Sequence, residues 1–237
     1  MLEWKRGASA GAAIAVGALV LIALTEIAAA KRPGGRHCAL GVCHRVMTLA
    51  ETGTQIGRLH HLKASYYDDC RHDRFNPCGL TSSGEIFRPH MPDNVASAIH
   101  PDGTILVLRN PATGLSVVAR VNNFGPFRGD RKLDVSKAAA KRLGFASRGV
   151  ATLEVMVVYA PTPAESRYAK KRRYDPVPGF IGATASMDSA YLKSADLTLP
   201  HRIAKSDATA CRVAAKRSAP RLTPVASGGT LIRLARN

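Results

Sequence analysis

The sequence predicts a mainly β domain between Leu62 and Val158, and three observations carry that prediction. Short apolar runs, LKASYY, TILVLRN, LSVVARVN and ATLEVMVVY, are separated by turn residues, as the strands of a compact β fold are. TILVLRN and LSVVARVN flank Pro111-Ala112-Thr113-Gly114, a Pro- and Gly-containing turn of hairpin length. One helical stretch, KAAAKRLG, interrupts the strands: its alanines give high propensity, Asp134 or Ser136 can cap its start, and Gly144 can end it. Lys141 and Arg142 suit the last turn of that helix, and capping gives Asp134 a plain structural role.

The segments on either side have different compositions. In residues 1–30, Lys5 and Arg6 precede an apolar run from Gly7 to Leu24, and Ala28-Ala29-Ala30 offers small residues at the spacing signal peptidase accepts. A run of about 18 residues also reaches the lower limit for a spanning helix, so an uncleaved membrane tether competes with a signal peptide. Either reading places the remaining chain in the periplasm or outside the cell. No cysteine lies near Ala30, so the attachment site of a lipoprotein is missing. Residues 31–61 are polar and cysteine-bearing, with VMTLAETGTQIG allowing a short helix, and have the character of a covering segment. Residues 62–160 hold the β domain. Residues 161–237 are rich in Ala, Ser, Lys and Arg and, apart from GFIG and short groups such as AYL and TLIRL, lack a core pattern. They read as a loosely ordered basic tail.

An oxidising compartment favours paired cysteines. Cys38 with Cys43 and Cys70 with Cys78 are the simplest pairs among the clustered four, although four cysteines allow three connectivities. Cys211 stands apart. A zinc site is the alternative, because HCALGVCH sets His37 and His44 beside two cysteines and His72 lies near the second pair. The spacings miss the usual C-x2-C form.

The chain carries a net charge of +17, of which +9 resides in residues 161–237. Outside the cytoplasm nucleic acid is an improbable partner. Cell-wall carboxylates and envelope phosphates are the anions that such a field attracts.

Three places in the β region set titratable or amide side chains beside Gly or Pro: SSGEIF, ASAIHPDGT, and RVNNFGPF followed by LDVS. Turns of this kind hold functional groups at a defined angle, and each alone is also ordinary turn chemistry. In order and spacing they resemble the double-psi β-barrel of the rare lipoprotein A (RlpA) family, septal-ring lytic transglycosylases that cut peptidoglycan glycan strands. The resemblance runs through Ala64-Ser65-Tyr66-Tyr67, Thr81-Ser82-Ser83-Gly84-Glu85, Ser97-Ala98-Ile99-His100, Gly103-Thr104, Arg120-Val121-Asn122-Asn123-Phe124-Gly125-Pro126-Phe127 and Asp134-Val135-Ser136.

That resemblance implies a six-stranded double-psi barrel with a short helix. It also implies a catalytic set of Glu85, His100 and the residue at Asn123, with Tyr67, Ser83, Asn122, Phe127 and Asp134 as substrate-binding positions. The family carries Asp where this chain has Asn123, and Arg where it has Phe124. Lytic transglycosylation needs an acid that protonates the leaving oxygen and a base that helps the sugar's own 6-hydroxyl close an anhydro ring, and one carboxyl can serve as both. An amide cannot exchange a proton at working pH, so chemistry here would rest on Glu85, with His100 as partner, Asn123 orienting the sugar and Asp134 in reserve. Neither a metal nor an organic cofactor is required. A glycan-binding barrel without catalysis is the competing expectation, its support being the missing aspartate.

Overall fold

A computed structural model describes residues 30–73 and 79–198. The predicted signal or anchor segment, Cys78, Cys211 and the last part of the basic tail lie outside the described residues.

The described chain opens with a two-stranded hairpin, β1 (Arg36–Ala39) and β2 (Val42–Arg45), and a short helix α1 (Leu49–Thr54). Thr48 and Glu51 cap α1 reciprocally: the Glu51 amide donates to the Thr48 hydroxyl at 3.1 Å and the Thr48 amide to the Glu51 carboxylate at 2.7 Å. The barrel strands follow as β3 (His60–Tyr67), β4 (Asn94–Ser97), β5 (Ile105–Arg109), β6 (Leu115–Phe124) and β7 (Leu133–Ser136). After them come α2 (Lys137–Leu143), β8 (Ala151–Tyr159), α3 (Pro163–Ser166) and β9 (Gly179–Ala183). The order β4-β7-β3-β8-β5-β6 closes through a β4–β6 pairing into a six-stranded barrel. Two pairings, β3–β7 and β4–β6, are parallel, and the other barrel pairings are antiparallel.

The barrel interior holds Ala64, Val95, Leu106, Leu108, Val117, Leu133, Leu153 and Val155, and is plugged at one end by Ala139, Ala140 and Leu143 of α2 together with Phe145. Ser136 caps α2, its hydroxyl accepting the Ala139 amide at 3.1 Å, and Gly144 ends it with φ +77°. Asp134 is therefore not the cap. It lies within β7, opposite Ser65 of β3 and Ala96 of β4, and its side chain points to the Ser65 hydroxyl. The β5–β6 hairpin forms as expected, with the Gly114 amide donating to the Asn110 carbonyl at 2.8 Å and the Ala112 amide to the Asn110 side chain at 3.1 Å.

The loosely ordered tail is corrected over residues 161–198. Strand β9 adds to the outer edge of β6, and residues 187–198 are helical. Ile181, Met187 and Ala190 cover Ile105, Val107, Val118, Met156 and Val158, making a second core outside the barrel. Ile105 and Val107 thus face this outer core while Leu106 and Leu108 face the inner one. Burial on both faces is why TILVLRN is a continuous apolar run instead of an alternating one.

Cys38 and Cys43 form a disulfide across the β1–β2 hairpin. That pairing removes both sulfurs as metal ligands and corrects the zinc alternative for HCALGVCH. Cys70 is also disulfide-bonded.

Candidate active site

The turn Thr81–Glu85 is built by short-range bonds: the Thr81 amide donates to the Glu85 carbonyl at 2.8 Å and the Gly84 amide to the Thr81 carbonyl at 2.9 Å. Gly84 adopts φ +92°, a conformation that a side chain resists. The turn is fastened to the end of β6 at two points. The Ser83 amide donates to the Asn122 carbonyl at 3.1 Å, and the Ser82 amide donates to Asn123 Oδ1 at 3.1 Å. This places Glu85 over the two asparagines: Asn122 Nδ2 donates to Glu85 Oε2 at 2.9 Å, while Oε1 faces the Tyr174 amide at 3.5 Å. Glu85 is 8% exposed. Asn122 Oδ1 is buried and has no hydrogen-bond partner among the described residues.

His100 occupies a neighbouring but separate position. Its Nδ1 meets the Ser97 hydroxyl at 2.9 Å, and its amide donates to the same oxygen at 3.0 Å. Burial, followed by the nearby Lys31 and His60 charges, pushes the imidazole down to about 3, so the ring is neutral at ordinary pH. No hydrogen bond joins His100 to Glu85 among the described residues.

The remaining expected residues divide into two groups. Tyr67 stacks on Phe87 with ring centroids 4.4 Å apart and donates its hydroxyl to Asn94 Oδ1 at 3.2 Å. Its phenol is held well above its ordinary pKa by burial and then by the Asp134 and Glu85 carboxylates, so it belongs to the same electrostatic neighbourhood. Ser83 is fully buried, its hydroxyl 3.1 Å from that of Thr81. Phe127 is placed elsewhere, edge-on to Phe124 at 4.6 Å and 5.9 Å from His44, under the disulfide hairpin.

Asp134 is pushed up to about 6 by burial, against the opposing effects of the Ser65 hydrogen bond and Arg131. Folding therefore favours its protonated form, and the stability it withdraws grows as pH rises from about 4 through about 6. Asp134→Asn keeps an acceptor for Ser65 and removes the charge. It is expected to stabilise the protein by up to about 3 kcal/mol at pH 7 and by well under about 1 kcal/mol at pH 4, as measured by urea unfolding at the two pH values.

Several residues at this site had no functional reading in the sequence. Asp102 accepts the Ser82 hydroxyl at 2.7 Å through Oδ2 and pairs with Lys31 Nζ at 2.8 Å through Oδ1. Lys31 also donates to the carbonyls of Asn123 at 3.0 Å and Ser97 at 3.3 Å. Both ions are buried. Arg120, Arg172 and Tyr174 meet beside Glu85, with the two guanidinium groups 4.8 and 4.9 Å from the Tyr174 ring centre. Asp102 sat in the Pro- and Gly-marked ASAIHPDGT, which was a signal for a turn only. Arg172 and Tyr174 were hidden in the basic run KKRRYDPVPGF.

Comparison with known proteins agrees with this architecture. Residues 60–155 match the family described as lytic transglycolase. The endolytic peptidoglycan transglycosylase RlpA of Neisseria meningitidis is 39% identical over 95 residues, covering 39% of this chain and 36% of that protein. RlpA of Yersinia pestis is 31% identical over 162 residues, covering 67% of this chain and 38% of that protein. A solved structure, the Streptomyces papain inhibitor, aligns over 43% of this chain and 96% of that one at 21% identity, with a TM-score of 0.34. The aligned region spans well under half the length of these curated relatives. With the closed six-stranded barrel, the turn-borne Glu85 and the family match falling on the same stretch of chain, residues 60–155 are a double-psi β-barrel domain of the RlpA family.

Proposed function

We propose that the protein is an exported, peptidoglycan-active member of this family that cleaves MurNAc–GlcNAc bonds of glycan strands by lytic transglycosylation. The observation that supports it best is Glu85: a carboxyl on a rigid turn, withdrawn from bulk water and held by Asn122. Protonated Glu85 gives its proton to the glycosidic oxygen as the bond to C1 breaks. The resulting carboxylate then takes the proton of the MurNAc 6-hydroxyl as that oxygen bonds to C1, so the acid is regenerated and no water is consumed. The unpaired Asn122 Oδ1 offers an acceptor to a sugar hydroxyl beside that carboxyl. Neutral His100 positions the end of β4 through Ser97, and no cofactor enters the scheme.

Incubation of the protein with purified sacculi is the test. Release of anhydro-ended glycans supports the proposal, and intact sacculi after prolonged incubation overturn it.

A second reading, a glycan-binding barrel without catalysis, has one specific observation in its favour. Asn123 stands at the family's aspartate position, and its side-chain oxygen is used to hold the Ser82 amide. An aspartate could accept that same bond, so Asn123→Asp is expected to fold normally and to raise product release by about tenfold or more. In a binding-only protein it would create release where the natural chain gives none. In either reading the basic segment 161–237 draws the protein to anionic envelope polymers, and sacculus pull-down is expected to weaken as salt rises.

A further inference from the structure

We propose that residues 167–175 are an intrinsic strap that shuts the Glu85 site and must lift before a glycan can enter, an inference that rests on the glycan reading of that site. The strap lies beyond the family-matched residues and lacks helix or strand structure, yet it is bound to the catalytic turn along its length. The Ala169 amide donates to the Ser83 carbonyl at 3.1 Å, and the Arg172 amide donates to the Gly84 carbonyl at 3.0 Å. Arg172 Nε reaches the Ser83 carbonyl at 3.3 Å, and the Tyr174 amide faces Glu85 Oε1 at 3.5 Å.

The fit is close enough to constrain sequence. A Cβ placed on Gly84 would lie 2.1 Å from the Ala169 carbonyl oxygen, so only glycine allows the strap to seat there. Tyr174 is the anchor: both Arg120 of β6 and Arg172 of the strap pack against its ring, its hydroxyl donates to the Glu165 carbonyl at 2.6 Å, and Arg120 also donates to the Asp175 carbonyl at 2.9 Å. The consequence is that Ser83, Glu85 and Asn122 are buried.

No residue of the strap belongs to either hydrophobic core, and its seat is made of hydrogen bonds and ring contacts, which suits a segment that opens without unfolding the barrel. The outward side of the strap carries the exposed cations Arg167, Lys170, Lys171 and Arg173. A glycan polymer can meet these cations with the strap seated, but it reaches Glu85 and Asn122 only once the strap has lifted, and the contacts made there are the differential affinity that shifts the equilibrium.

The test compares the wild-type chain with Arg172→Ala/Tyr174→Ala, and with Arg172→Ala alone in case the double variant folds poorly. Two readouts are taken: carbodiimide-driven coupling of an amine to Glu85, mapped by mass spectrometry, and binding of soluble peptidoglycan strands prepared from sonicated sacculi. We expect Glu85 coupling to rise about tenfold and strand affinity to rise by a similar factor, since removal of a closed state raises the competent fraction. Unchanged Glu85 coupling in a folded variant overturns the strap, whatever happens to binding. If coupling rises while neither protein binds strands, the strap stands as a shield and the glycan reading of the site falls. If coupling rises and both proteins bind strands equally, the strap does not gate ligand entry.

Discussion

Glu85→Gln is expected to lower release of anhydro-ended glycans from sacculi by about 10²- to 10⁴-fold, the usual contribution of a positioned acid/base. The substitution is nearly isosteric, and its surroundings can absorb it. Asn122 Nδ2 keeps a carbonyl oxygen to donate to, and the acceptor lost is only the one that the Tyr174 amide faces at 3.5 Å. The urea midpoint should therefore stay close to that of the wild type while activity falls, which separates loss of chemistry from loss of fold. Binding of strands should persist, because the amide retains the shape of the site. If Glu85→Gln retained full activity, proton transfer would have to come from another group. Asp134, pushed up to about 6 and close enough to influence Tyr67, is the carboxyl to replace next.

The parts of the molecule that local chemistry specifies were legible in the sequence. Ser136 and Gly144 bound α2 because a hydroxyl accepting the third amide and a residue tolerant of positive φ are needed there. Asn110 to Gly114 closes the β5–β6 hairpin by bonds within five residues. The order of the turns pointed to the barrel, although the parallel pairs β3–β7 and β4–β6 join segments that no short-range pattern links.

What stayed hidden depends on distant parts of the chain meeting. Asp134 looked like a helix cap because it stands two residues before the true cap, and only the β3–β7 register turns it toward Ser65. GFIGA reads as a short glycine-flanked fragment, yet it gains strand partners from the free edge of β6. The strap has no apolar periodicity because its bonds to the Ser83 and Gly84 carbonyls are made by backbone and guanidinium groups. Lys31 carried no signal at all, since a lysine in a polar segment is ordinarily solvated.

That same lysine underlies the largest expected effect on stability. Asp102→Asn leaves the buried Lys31 ammonium with the Ser97 and Asn123 carbonyls and the Phe124 ring but no counter-charge, and is expected to cost about 3–5 kcal/mol. The loss should depend on pH in a defined direction. Burial already holds Lys31 below its ordinary pKa, with the Asp102 charge and hydrogen bond opposing that effect. Without Asp102 the folded chain releases this proton more readily than the unfolded chain, so the unfolded state binds more protons and stability rises with pH. Asp102→Asn is thus expected to be less damaging at pH 9 than at pH 6, in paired urea titrations. Lys31→Met combined with Asp102→Asn removes both charges while Asn keeps an acceptor for Ser82. The double variant is expected to regain most of the lost stability, because the cost arises from an unpaired buried ion and not from the absence of the pair. A double variant no more stable than Asp102→Asn alone would show that the ion pair itself, and not the avoidance of an unpaired buried charge, carries the stability.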